Sequence, residues 1–259
     1  MKDLFNISGK VALVTGGSRG IGAMIAEGYV VNGVKTYISA RKADVCAATA
    51  ERLSQLGECI SIPADLSSMA GIEQLVDAIK SREDRLDILV NNAGATWGAP
   101  IAEFPESGWD KIMTINVKAP FFLAQALLPL LENAASHDDP ARIIMVGSID
   151  GINVNPLPTF SYGPSKAAVH HLTRTLASHL ADRHITANAI APGLFPSKMT
   201  AHTIDTMGEK IRKGTPLRRH GKAEDVAGVA IYLASPAASF VTGVIIPVDG
   251  GITGAKSTL

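Results

Sequence analysis

The sequence holds little that would take it outside the ordinary globular class. It has two cysteines, Cys46 and Cys59. They form neither a C-x-x-C pair nor a disulfide framework, which agrees with a reducing compartment. It has no surplus of charge, with 24 Lys plus Arg against 24 Asp plus Glu, so no global field draws it to nucleic acid or to an anionic membrane. Any recognition of anions is local. No segment approaches the roughly 20 uninterrupted apolar residues of a membrane span, and Val11 to Val14 is too short a run for a signal-peptide core. A cytoplasmic protein is the resulting expectation. His170, His171 and His179 follow Lys166 without an H-E-x-x-H or any other metal-ligand spacing, so no metal is expected. Only 5% of residues are aromatic; Trp109 reads as packing, and Trp97 as packing or substrate-facing. No repeat or linker divides the chain. One domain over residues 1–259 follows, with 46% hydrophobic residues to fill its core.

What the sequence does hold is a rhythm of short β-branched runs between longer helical patterns. The runs are Val11 to Thr15, Thr36 to Ser39, Ile60 to Ile62, Leu86 to Val90, Arg142 to Val146, Ile185 to Ile190 and Val244 to Val248. Near-continuous apolarity within them indicates strands covered on both faces, and helices between seven such strands imply a doubly wound parallel α/β sheet. Amphipathic helices are expected at Ala43 to Leu56 and Gly71 to Ser81, and a more apolar one at Ile112 to Leu131, kinked or ended by Pro120 and Pro129. The stretch from about 193 to 222 has Pro, Gly, Met and basic residues and no clean strand; it reads as a lid over a site.

TGGSRGIG, Thr15 to Gly22, follows the first strand and opens a helix. Gly16, Ser18 and Gly20 fit the G-x-S-x-G of hydrolases, but a nucleophile elbow lies deeper in such a sheet, with an acid and a histidine marked downstream. Gly16, Gly20 and Gly22 instead suit a turn that brings backbone amides and a helix N-terminus against a pyrophosphate, with Ser18, Arg19 and Ile21 around it. The second strand ends Ser39, Ala40, Arg41, Lys42, where an acid would hold the ribose hydroxyls of NAD. Arg41 and Arg19 suit a 2′-phosphate, which favours NADP(H); the alternative is that Arg41 and Lys42 are solvated loop charges.

Tyr162 and Lys166 in YGPSK are four apart, hence on one helical face, and Pro164 fits only a first turn. An ammonium beneath the phenol and the helix N-terminus would both lower the tyrosine pKa. Asn91, Asn92, Ala93 and Gly94 follow the fourth strand and Ser148 the fifth, at the carboxyl ends where parallel sheets bind ligands.

These motifs, with Asn116, Pro192, Gly193 and Asp249-Gly250-Gly251, resemble the short-chain dehydrogenases/reductases over essentially the whole chain, and within them the NADPH-dependent 3-oxoacyl reductases. The resemblance implies a Rossmann-type fold and reduction of a carbonyl, on an acyl thioester of coenzyme A or acyl carrier protein, or on another ketone. It implies that Tyr162 protonates the carbonyl oxygen, Ser148 holds it, Lys166 lowers the Tyr162 pKa and binds the nicotinamide ribose, and Asn116 holds a water linking Lys166 to solvent. It places Asp65 and Leu66 at the adenine, Asn91 to Gly94 at the ribose, and Pro192, Gly193 and Phe195 at the nicotinamide. Asp65 is otherwise a helix cap. It further implies a homotetramer or homodimer. Two departures stand out: Phe195 and Pro196 replace the family's aliphatic and following position, and fourteen positions, one more than is common, separate Ser148 from Tyr162. The loop from Asn153 to Thr159 is therefore expected to bulge and shape the substrate pocket.

Overall fold

A computed structural model describes residues 3–255. Seven strands, β1 Val11–Thr15, β2 Lys35–Ser39, β3 Cys59–Ser61, β4 Ile88–Asn91, β5 Ala141–Val146, β6 Ile185–Pro192 and β7 Ile245–Val248, form one sheet in the order β3-β2-β1-β4-β5-β6-β7. Every pairing is parallel. Among the described residues eight α-helices cover it: α1 Gly20–Val31, α2 Ala43–Ser54, α3 Met69–Lys80, α4 Glu106–Met113, α5 Ala119–Ala134, α6 Tyr162–Leu180, α7 Ala201–Gly214 and α8 Ala223–Ala234. The strand runs read from the sequence are all present, displaced by no more than two residues at an end.

Alternate strand residues feed two cores, as a sheet covered on both faces requires. Leu13, Leu89, Ile143 and Met145 meet Leu75 of α3, Leu123 and Leu127 of α5 and Val169 of α6. Val14, Ile88, Val90 and Ile144 meet Ile25 and Tyr29 of α1, Leu53 of α2 and Leu233 of α8. β1 lies between β2 and β4, so the winding reverses there and a crevice opens beyond the carboxyl ends of β1 and β4.

Three sequence expectations change. Neither proline ends the apolar helix: Pro120 sits in the first turn of α5, and α5 runs through Pro129 to Ala134. The irregularity lies upstream, in a π-helical turn, Thr114–Lys118. Residues 106–134 are thereby one helical run, long and apolar enough by composition to cross a membrane; its Leu123, Leu127, Leu130 and Leu131 are buried in the core. The 193–222 stretch is not irregular throughout, since α7 occupies its middle.

Candidate active site

The crevice is a cleft of about 550 Å³. One end is formed by the glycine turn. Gly16 and Gly20 have φ of 64° and 54°, left-handed values that a side chain would strain. The turn is fastened to the Asn91-to-Gly94 stretch through Thr15, whose Oγ1 accepts from the backbone N–H of Asn92 and of Ala93, both at 3.0 Å, and donates to the Val90 carbonyl at 3.2 Å. Asn92 Nδ2 donates to the Thr15 and Gly16 carbonyls at 2.8 and 3.2 Å. The Asn92 side chain thus braces the turn, while its backbone lines the cleft with Ala93 and Gly94. Asn91 is buried at the end of β4 and is not among the residues lining the cleft.

No acid stands in the first turn of α1 and no side chain caps its Arg19 end. Its N-terminal amides and partial positive charge therefore face the cleft, where an anion fits. Arg19, Arg41, Lys42, Asp65, Leu66 and Ser67 line the same end. Asp65 neither caps nor begins α3: Ser68 does, its Oγ accepting from Gly71 N–H at 3.1 Å. Asp65 Oδ1 instead accepts from the Ser67 amide and hydroxyl at 3.1 and 2.8 Å. Burial raises its pKa, but those bonds and the charge of Arg41 outweigh it and hold the carboxyl below its usual range. The donor set, a helix N-terminus, two guanidinium groups and a fixed carboxylate, fits a phosphorylated dinucleotide running from Arg41 toward Tyr162.

At the other end, Ser148 follows β5, and Tyr162 is the first residue of α6 with Lys166 one turn on. All three line the cleft. The expected arrangement of ammonium beneath phenol is only partly realised. Lys166 Nζ donates to the Val146 carbonyl at 2.8 Å and lies 5.7 Å from the centre of the Tyr162 ring. Nor is the phenol acidified: burial pushes Tyr162 up to about 12, Ser148 opposes this by hydrogen bonding, and the charge of Asp150 adds to it. Burial likewise pushes Lys166 down to about 8, against the pull of Asp150. Desolvation outweighs the local charges because Lys166 is buried and the half-buried Tyr162 is packed into the cleft wall.

The family model described as Enoyl-(Acyl carrier protein) reductase matches residues 16–253, and the short-chain dehydrogenase/reductase PhomF of Diaporthe leptostromiformis is 33% identical over 96% of this chain and 93% of its own. The chain belongs to the short-chain dehydrogenases/reductases. To one protein of this kind, the rhamnolipids biosynthesis 3-oxoacyl-(acyl-carrier-protein) reductase of Pseudomonas aeruginosa, it is 49% identical over 97% of its length and 99% of the other's. The Pseudomonas aeruginosa RhlG/NADP active-site complex matches it with a TM-score of 0.94 at 49% identity, covering 98% of this chain and 100% of that one.

Other parts of this short-chain dehydrogenase/reductase complete the cleft. Asn116 sits in the π-helical turn. Its Oδ1 accepts from Ala95 N–H at 2.9 Å, and its Nδ2 donates to the Ala95 carbonyl and to Ser165 Oγ at 3.1 and 2.9 Å. The side chain clamps the cleft loop to α6, with both Nδ2 hydrogens used and a second Oδ1 lone pair still open to a donor. Phe195 is among the residues lining the cleft; its ring is buried where a side chain at Gly221 would lie, and its carbonyl accepts from Thr200 Oγ1 at 2.6 Å. Pro192 and Gly193 line the cleft beside it. Trp97 packs on α4, with Lys111 over its ring at 5.1 Å, while Trp109 is 42% exposed rather than packed. The basic residues near α7 are largely neutralised by acids: Arg212 and Lys213 pair with Glu209, Arg219 with Asp225 and Lys222 with Glu224. Sequence reasoning missed Thr15 as a brace, Asp150 and Asn155; the one available signal was an acid two residues after Ser148.

Proposed function

We propose that this chain is an NADPH-dependent carbonyl reductase that converts a 3-oxoacyl thioester, carried on coenzyme A or acyl carrier protein, to the 3-hydroxyacyl product. The observation that carries the reading is one cleft with Ser148, Tyr162 and Lys166 at one end and Arg19 and Arg41, with no acid closing β2, at the other. Similarity to a 3-oxoacyl-(acyl-carrier-protein) reductase and to an NADP complex supports it.

Bound NADPH supplies hydride to the carbonyl carbon. Tyr162 donates its phenolic proton to the carbonyl oxygen; burial keeps that proton on the phenol at neutral pH, so the acid is always loaded. Ser148, whose hydroxyl eases phenolate formation while it points at Tyr162 in the free site, turns its single hydrogen to the carbonyl oxygen when substrate is bound. Lys166, charged below a pH of about 8, stabilises that phenolate and meets the ribose. Asn116 is a positioning residue that holds the cleft loop. Gly16, Ser18, Arg19, Gly20, Ile21 and Gly22 receive the pyrophosphate, Arg41 the 2′-phosphate, Asp65 and Leu66 the adenine.

An acyl chain suits the rim. Ile101, Ile152, Val154 and Phe160 are exposed, the last stacked edge-on against Phe104 at 5.8 Å. Exposed apolar side chains on the loop after Ser148 offer surface that suits an apolar ligand. We further read residues 1–259 as one domain and a homotetramer or homodimer, for which exposed Trp109, Phe121 and Phe240 offer apolar surface.

The test is NADPH consumption with 3-oxoacyl thioesters of several chain lengths beside unrelated ketones. Thioesters are expected to lead, and Tyr162→Phe to abolish at least about 99% of turnover while NADPH binding persists. Equal sluggishness toward every thioester overturns the substrate; unchanged turnover in Tyr162→Phe overturns the chemistry.

A further inference from the structure

The segment between Ser148 and Tyr162 contains an acid that the proposed chemistry does not use. Ser148 opens a single 3-10 turn, Ile149–Gly151, and its Oγ accepts from the Asp150 amide at 3.1 Å. The turn lies on the start of α6: a β-carbon on Gly163 would come within 3.2 Å of the Asp150 carbonyl. The Asp150 carboxylate is clamped by Asn155, whose Nδ2 donates to Oδ2 at 2.7 Å, and Asn155 Oδ1 in turn accepts from Leu157 N–H at 2.9 Å. From there the loop reaches both walls of the cleft. The Pro158 carbonyl accepts from Ala99 N–H at 3.1 Å, and the Thr159 carbonyl from Tyr162 N–H at 2.9 Å.

The groups around this carboxylate are few. From α6 come Tyr162 and Lys166, both of which feel the charge of Asp150. His170 lies a turn further along α6, packed under Gly147 and Gly151, and Lys111 of α4 lines the cleft opposite. Burial raises the pKa of Asp150 itself, while Asn155 and Lys166 favour its charged form.

We propose that Asp150 is a positioning residue whose carboxylate, clamped by Asn155, ties residues 152–160 to the catalytic turn, and that the packing of this turn on the α6 backbone at Gly163 and Lys166 holds its negative charge in the neighbourhood of Tyr162 and Lys166. The inference rests on the reading of Tyr162 as the proton donor. The charge disfavours the phenolate and favours the ammonium, so the free site is set for donating a proton to a carbonyl rather than removing one from an alcohol. The tie fixes the loop on which Ile152, Val154 and Phe160 present their apolar side chains. Charge and tie are separable, because Asp150→Asn removes the first and keeps an acceptor for Asn155, whereas Asn155→Ala cuts the second and keeps the charge.

Two readings are expected to diverge. In Asp150→Asn, oxidation of the 3-hydroxyacyl thioester by NADP, which requires deprotonated Tyr162, moves its pH midpoint down by about one unit. In Asn155→Ala the midpoint stays, and KM for the thioester rises roughly fivefold with kcat little changed. A reading without substrate or cofactor accompanies them: in the ligand-free enzyme with 13C-labelled lysine, the Lys166 titration near pH 8 is expected at lower pH in Asp150→Asn and unmoved in Asn155→Ala. Asp150→Glu restores the wild-type midpoints. If Asp150→Asn does not fold, Asp150→Ser carries the same readings. Wild-type midpoints in the uncharged variant, or equal displacement in Asn155→Ala, overturn the proposal. Failure of wild type on every thioester would sink the substrate reading while the Lys166 titration still tests Asp150.

Discussion

His170 carries a consequence of burial that no motif announces. It is 4% exposed, its Nε2 has no hydrogen-bond partner, and that atom lies where a side chain at Gly147 would stand. Burial first, and the charge of Lys166 second, push it down to about 4. The unfolded chain therefore takes up a proton that the folded one refuses, so the contribution of neutral His170 is intact above a pH of about 6.5 and is lost as pH falls toward 4. Stability in urea is expected to decline over that interval by up to about 1.4 kcal/mol per pH unit from this residue, and His170→Gln to flatten that slope. Arg41 is the opposite case: its place at the cleft end of β2 was readable, because the sequence shows that no acid stands there. Arg41→Ala is expected to cut the preference for NADPH over NADH roughly 10- to 100-fold, the range for hydrogen bonds to a charged group; an unchanged ratio of the two kcat/KM values would remove Arg41 from the 2′-phosphate. The electrostatics of Tyr162 were not legible, since spacing places Lys166 on its face but cannot state how much water either group has lost.

Among the elements, the strands were readable because apolar runs buried on both faces have few other uses. The helix at 106–134 was not. Its prolines suggested interruption, yet Pro120 falls in a first turn, where its missing N–H costs nothing, and packing against the sheet carries α5 through Pro129. The real break, the π-helical turn at Thr114–Lys118, leaves no trace in composition, and it delivers Asn116 to the junction of two other segments. Asn116→Ala strands the Ala95 amide and carbonyl. It is expected to lower stability by about 1–3 kcal/mol and to weaken NADPH binding more than it lowers kcat, measured by urea unfolding and by fluorescence titration. Equal NADPH affinity in the two proteins would mean that the loop needs no clamp.

Across the molecule, chemistry gathers at the carboxyl edge of the sheet, while the opposite edge holds a network without it. There Arg142, 1% exposed, pairs with Asp139 at 2.5 Å and donates to the Ser235 carbonyl at 3.2 Å. Lys166 loses its charge as pH rises through about 8, so kcat/KM for reduction, with both substrates well below saturation, is expected to fall above that pH. Lys166→Arg, whose charge does not titrate there, is expected to keep residual activity without that decline. The segment carrying α7 shows a further property of this layout. Gly221 N–H donates to the Leu194 carbonyl at 3.0 Å, and the Phe195 ring fills the space beside Gly221. Its two ends are thus knotted together on the rim, independently of what hangs between them. Lengthening such a closed insert costs only about 0.6 kcal/mol per doubling of its length. The stretch is therefore an exchangeable cartridge: related proteins could trade it, and with it the shape of the mouth, while the strands beneath keep the same register.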